Sequence, residues 1–167
     1  MNEQRIFCLD SSVLIEGWNK YYSPRRVPDY WDILEDLGRR EIVFSPIDVL
    51  REIEKVDDDL KTWCTKRKYM FREITTDIQI ELRKIMKAYP RLVDSTRQRS
   101  VADPWVIAFA IAHKATVVTK EMPIGSDGRR VKIPDVCSAL GVKCIDDFTF
   151  ADLIGLRFTA TLDKTIS

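Results

Sequence analysis

The sequence predicts an α/β fold: a short parallel sheet of four or five strands flanked by helices in three layers, one domain over residues 1–167. Two observations carry this. Four short apolar runs, rich in β-branched and aromatic residues, read as strands buried on both faces. They are Arg5–Asp10, Ile42–Ser45, Ala115–Thr119 and Val142–Ile145. Helical stretches separate them, and strand–helix alternation implies right-handed crossovers with parallel pairing. A length of 167 residues fits one domain.

In chain order, Ser12 is a good N-cap for a helix over Val13–Lys20. Asp29–Arg40 follows, with Trp31, Ile33, Leu34 and Leu37 at its apolar positions. Ser45-Pro46 pairs a capping residue with a proline at the first helical position. The helix it opens carries Ile47, Leu50, Ile53, Val56 and Leu60 near one side. Asp57-Asp58-Asp59 reads as a solvated face or a helix junction. A charged helix runs from about Thr75 to Tyr89, with Ile78, Leu82, Ile85 and Met86 on one stripe. Asp103-Pro104 opens a helix that is apolar on nearly all sides, and such a helix is a buried one. His113, near its end, reads as a dipole-compatible cap. Pro134–Leu140 and Asp147–Leu156 complete the helices.

Lys plus Arg is 27 and Asp plus Glu is 26, a formal net charge of +1. That excludes a polycation holding nucleic acid by bulk charge; any such contact must use local clusters. No apolar run reaches the roughly 18 residues of a membrane helix, and the start Met-Asn-Glu-Gln-Arg has no signal-peptide pattern. The expectation is a cytoplasmic protein with no membrane partner. Cys8, Cys64, Cys137 and Cys144 form no Cys-x-x-Cys pair, and His113 is the one histidine. Structural zinc and histidine acid–base pairs are therefore disfavoured, and the cysteines read as reduced structural thiols. Any chemistry falls to carboxylates.

In an open parallel sheet the functional crevice lies beyond the carboxyl ends of the strands. Asp10 ends the first strand, and Asp103 opens the buried helix. Glu52 borders the apolar stripe of the helix after the second strand, with Glu54 as its rival. Glu121 lies two residues past Thr119. Each has an ordinary alternative role, as an N-cap, a solvated helix acid or a loop acid. Together they fall at strand ends or helix starts. Converging carboxylates repel one another, and a divalent cation relieves that repulsion. Oxygen-only ligands suit Mg²⁺ or Mn²⁺. The fitting reaction class is metal-assisted phosphodiester hydrolysis.

Four segments now matter together: Asp10-Ser11-Ser12-Val13-Leu14-Ile15, Val49-Leu50-Arg51-Glu52-Ile53, Ala102-Asp103-Pro104-Trp105-Val106-Ile107 and Val117-Val118-Thr119-Lys120-Glu121. Their order and spacing resemble the successive motifs of the PIN domain, from about residue 5 to 155. Trp18, Pro90–Asp94 and Ile133–Cys137 resemble the pattern of a stand-alone PIN subfamily of about this length. The resemblance implies a three-layer PIN-like (Rossmann-like) fold and a metal-dependent ribonuclease similar to VapC-type toxins of toxin–antitoxin modules. It carries Asp10, Glu52 and Asp103 over as metal-binding catalytic acids. Ser12 matches the small hydroxyl residue beside the metal. Glu121 stands where the family usually has Asp, so either it or Asp135 completes the set. Asp135 also suits the first turn of a helix. The implied partners are an RNA substrate, a cognate antitoxin and a second copy of the chain in a homodimer.

Positive charge near the acids comes from Arg97 and Arg99 before Asp103, from Lys120, and from Arg129 and Arg130 in the loop after the strand. These are the candidate phosphate contacts, beside Ser12. Lys66-Arg67-Lys68 and Arg25-Arg26 are further basic spots without motif support. Trp18, Tyr21, Tyr22 and Trp31 are candidates for stacking bases or for the core. A haloacid-dehalogenase phosphatase wants Asp where Ser12 stands, and a receiver wants acids where Cys8 and Leu9 stand. The alternative kept is a catalytically silent PIN-like module that binds RNA or protein.

Overall fold

A computed structural model describes residues 5–93, 101–124 and 131–162. Five parallel strands form the sheet: β1 (Phe7–Leu9), β2 (Val43–Pro46), β3 (Phe71–Arg72), β4 (Thr116–Val118) and β5 (Cys144–Ile145), in the order β3-β2-β1-β4-β5. Phe7 pairs with Val43 on one side and Thr116 on the other, so β1 is central. Every residue of β1 is buried, as a strand covered on both faces requires. The predicted runs overreach at their ends. There the chain stays extended through single bonds, such as Phe7 N–H to the Ile42 carbonyl at 2.8 Å. The edge strand β3 has two residues, too few for any period to register.

Eight α-helices cover the described sheet: α1 (Ser11–Glu16), α2 (Pro28–Arg39), α3 (Ile47–Ile53), α4 (Asp59–Thr65), α5 (Thr76–Ala88), α6 (Asp103–His113), α7 (Ile133–Leu140) and α8 (Asp147–Leu153). The first differs from expectation at both ends. Its N-cap is Asp10 rather than Ser12, and past Glu16 it loosens into a π-helical turn, Gly17–Tyr21. The predicted long helix through Leu60 is two helices. The chain breaks after α3, leaves Val56 60% exposed, and restarts where Asp58 accepts the Lys61 N–H at 2.9 Å. The aspartate triplet is that junction, because an Asp competes for backbone donors and favours caps over helix interiors.

Helix α6 is buried nearly all round, as predicted. His113 stands in the last turn of α6, beside the cap residue Lys114. Its ring packs on Phe44 and Phe109, and burial, then the charge of Arg72, holds its pKa below the usual histidine value. The tryptophans Trp18, Trp31 and Trp63 form a core cluster, with centroids of 4.7 Å for Trp18–Trp31 and 5.1 Å for Trp31–Trp63. Trp31 donates its indole N–H to the Tyr22 carbonyl at 2.6 Å, and Tyr22 stacks on Tyr30. Trp18, Tyr22 and Trp31 therefore serve the core. All four cysteines are free. No helix among the described residues is long and apolar enough to cross a membrane.

Candidate active site at the carboxyl edge of the sheet

Asp10 leaves β1 in extended geometry and starts α1. One carboxylate oxygen accepts the Ser11 N–H at 2.7 Å. The other accepts the Ser12 hydroxyl at 2.5 Å and the Thr119 hydroxyl at 3.0 Å. The Ser12 hydroxyl oxygen in turn accepts the Lys120 N–H at 3.0 Å. The ends of β1 and β4 are thus tied by side chains as well as by the Asp10 N–H to Val118 carbonyl bond.

Asp10 is buried, and its pKa is raised. Desolvation is the largest cause; the charges of Glu121 and Glu52 add to it, while the bonds from Ser12 and Thr119 oppose it. Glu52 and Glu121 come from α3 and from the segment after β4, so their fields meet Asp10 across the crevice. Glu52 also accepts the Ala102 N–H at 3.4 Å, a long bond that sets it beside the start of α6, where Asp103 is buried. Glu54 instead forms the C-cap of α3.

Two expected ligands are occupied by local structure. Glu121 receives the Lys132 ammonium at 2.6 Å on one oxygen and the Ile133 N–H at 3.0 Å on the other. Asp135 accepts N–H groups of Lys132 at 3.2 Å and Ile124 at 3.3 Å, closing the N-terminus of α7. Among the described residues, no group of three or more His, Cys, Asp or Glu side chains stands in position to hold a metal ion. The donor set suits a hard dication in chemistry and in the negative field on Asp10, but its members are not gathered into one coordination shell.

Lys120, the expected phosphate contact, is engaged with other side chains. Its ammonium lies 2.7 Å from Asp147, with side-chain exposures of 9% and 1%. It also sits 3.5 Å from the Tyr21 ring centroid and 4.5 Å from that of Phe148. Arg97, Arg99, Arg129 and Arg130 lie outside the described residues. For two participants the sequence assigned no role toward the acids. Thr119 had its signal in the Thr-Lys-Glu segment at a strand end. Lys132 is one of several basic residues in its stretch, and nothing local marks its reach to Glu121.

With this geometry in hand, a family model matches residues 7–158. The chain belongs to the family described as the domain of unknown function DUF4411. A comparison with curated proteins finds no match. Among solved structures, a chain of the crystal structure of VapBC2 from Rickettsia felis, bound to a DNA fragment from their promoter, is similar with a TM-score of 0.51. The match has 15% sequence identity and covers 84% of this DUF4411 chain and 98% of that one. At such identity the likeness concerns the fold. The five-stranded parallel sheet flanked by helices is a PIN-like α/β fold.

Proposed function

We propose that this protein is a metal-dependent endoribonuclease, a cytoplasmic toxin of a toxin–antitoxin module. Its partners are then RNA, a cognate antitoxin protein and a second copy of the chain. The observation that carries the reading is Asp10: a buried carboxylate at the carboxyl end of the central strand, facing the charges of Glu52 and Glu121. Burying one acid near two others is costly unless a proton or a cation offsets the charge, and a dication at Asp10 is the offset that this reading supplies. Asp10, Glu52 and Asp103 would hold Mg²⁺ or Mn²⁺, with Glu121 or Asp135 as the further acid. Such an ion, when bound, supplies an activated water and charge stabilisation for the phosphodiester.

The chain's own groups have separable tasks. Ser11 N–H, Ser12 and Thr119 fix the Asp10 carboxylate and favour its ionised form against burial. Lys132 holds Glu121 at the start of α7. That ion pair, with the ungathered acids, is also the observation favouring a silent module that binds RNA or protein without cutting it.

One assay separates the two. Labelled single-stranded RNA is incubated with the protein and Mn²⁺ or Mg²⁺, with and without EDTA, beside Asp10→Asn. Cleavage that needs the ion and Asp10 supports the nuclease. Binding with no cleavage at any ion concentration supports the silent module. Cleavage surviving both EDTA and Asp10→Asn defeats the metal-nuclease reading.

A further inference from the structure

We infer that Tyr21 and Phe148 form a stacking subsite for an unpaired nucleobase of single-stranded nucleic acid bound beside Asp10. The ligand class rests on the nuclease reading above; the site rests on the following geometry. Tyr21 ends the π-helical turn and Phe148 lies in the first turn of α8, so distant segments bring them together. Their centroids are 5.9 Å apart at 86°, an edge-to-face corner. They are 47% and 54% exposed, in contrast to the tryptophan cluster and Tyr22, which are drawn into the core.

Exposed rings on flexible surfaces usually lack a fixed orientation. These two are braced from the protein side by the Lys120 ammonium, which is itself nearly enclosed. The Lys120–Asp147 pair holds that ammonium in place without leaving a net charge there. Two fixed aromatic surfaces at a right angle, open to solvent, suit a flat heterocycle stacked on one ring with its edge against the other.

Position and charge complete the case. The Lys120 backbone N–H is bonded to Ser12, whose hydroxyl is bonded to Asp10. The corner therefore lies one lysine side chain away from the carboxylate network. Tyr21 is followed closely by the exposed Arg25 and Arg26 and preceded by Lys20. Arg26 donates to the Lys20 carbonyl at 3.1 Å, so its guanidinium reaches the backbone of the turn that ends at Tyr21. Glu16 offsets Lys20 only through an exposed 3.7 Å pair. Cations along a backbone path with an aromatic platform are the general pattern for single-stranded nucleic acid.

The test measures binding in EDTA, so that cleavage plays no part. Fluorescein-labelled single-stranded RNA and DNA oligomers, the same oligomers with abasic sugars, and a duplex are titrated by anisotropy. The wild type should prefer base-bearing single strands over abasic ones by roughly 5- to 150-fold per stack. Tyr21→Ala and Phe148→Ala should each erase that preference while leaving abasic binding unchanged. Tyr21→Phe and Phe148→Tyr should keep it, which separates stacking from misfolding. RNA and DNA binding alike points to the base alone, and RNA binding better adds a 2′-hydroxyl contact; both support the subsite. Equal affinity for abasic strands, a preference for duplex, no binding of any oligomer, or alanine variants that behave as wild type would overturn it. A protein that stacks bases yet never cuts RNA retains the subsite and loses the nuclease. One that cuts RNA with no base preference does the reverse.

Discussion

Lys120→Met is the perturbation whose cost follows most directly from the structure. Lys120 and Asp147 are both enclosed and 2.7 Å apart, and the Tyr22 hydroxyl is the other polar group directed at Asp147. The ammonium charge is what compensates that carboxylate. Exposed ion pairs contribute about 0–1 kcal/mol, but removing one partner of a buried pair costs about 3–5 kcal/mol because the other is left uncompensated. At this chain length each kcal/mol moves the midpoint by about 2–4 °C, so the melting temperature should fall by roughly 6–20 °C. Urea unfolding followed by circular dichroism measures the loss. The double variant Lys120→Met/Asp147→Leu should recover most of it, since apolar replacement of a whole buried pair is often neutral or stabilising. A Lys120→Met cost under about 1 kcal/mol, the range of a surface pair, would show that solvent screens this pair and leave Lys120 open as a phosphate contact.

Other expectations follow from single contacts. A Cβ on Gly38 of α2 would meet Met70 at 2.7–2.9 Å, including its Cγ. The overpacking cost of about 1–3 kcal/mol should match or exceed the roughly 1 kcal/mol of helix propensity that Ala contributes, so Gly38→Ala should not stabilise; a raised urea midpoint contradicts this. The His113 pKa is depressed from 6.5 by burial and by Arg72. The unfolded chain thus binds that proton more readily, and His113's contribution to stability is present above about pH 6.5 and lost as pH falls below it. His113→Phe should flatten the pH dependence of the unfolding midpoint in that window; an unchanged slope counts against it. Lys132→Met frees one oxygen of Glu121 and should tighten Mn²⁺ binding several-fold by calorimetry. An unchanged affinity removes Glu121 from the ligand set.

The sheet was legible because buried parallel strands have to be apolar throughout, as Phe7, Cys8 and Leu9 are. Helix α6 was legible for the same reason, and its start was marked by Asp103-Pro104. The division between α3 and α4 was not, because Val56 continues the apolar stripe although its side chain points into solvent. There the capping preference of Asp58 outweighs one hydrophobic position. At the site, Asp10 stood out by following a strand. The fate of Lys120 was hidden, since its partners Tyr21, Asp147 and Phe148 come from remote segments that only the fold brings together. Glu121 and Asp135 were visible as acids, but their engagement around α7 depends on three-dimensional neighbours such as Lys132.

Anomalous scattering from crystals soaked in Mn²⁺ shows whether a dication binds at Asp10. An anomalous peak is expected at about 2.0–2.3 Å from an oxygen of Asp10, with Glu52 or Asp103 reaching the same ion directly or through its waters. No peak at millimolar Mn²⁺, or a peak only at acids remote from the end of β1, would contradict it.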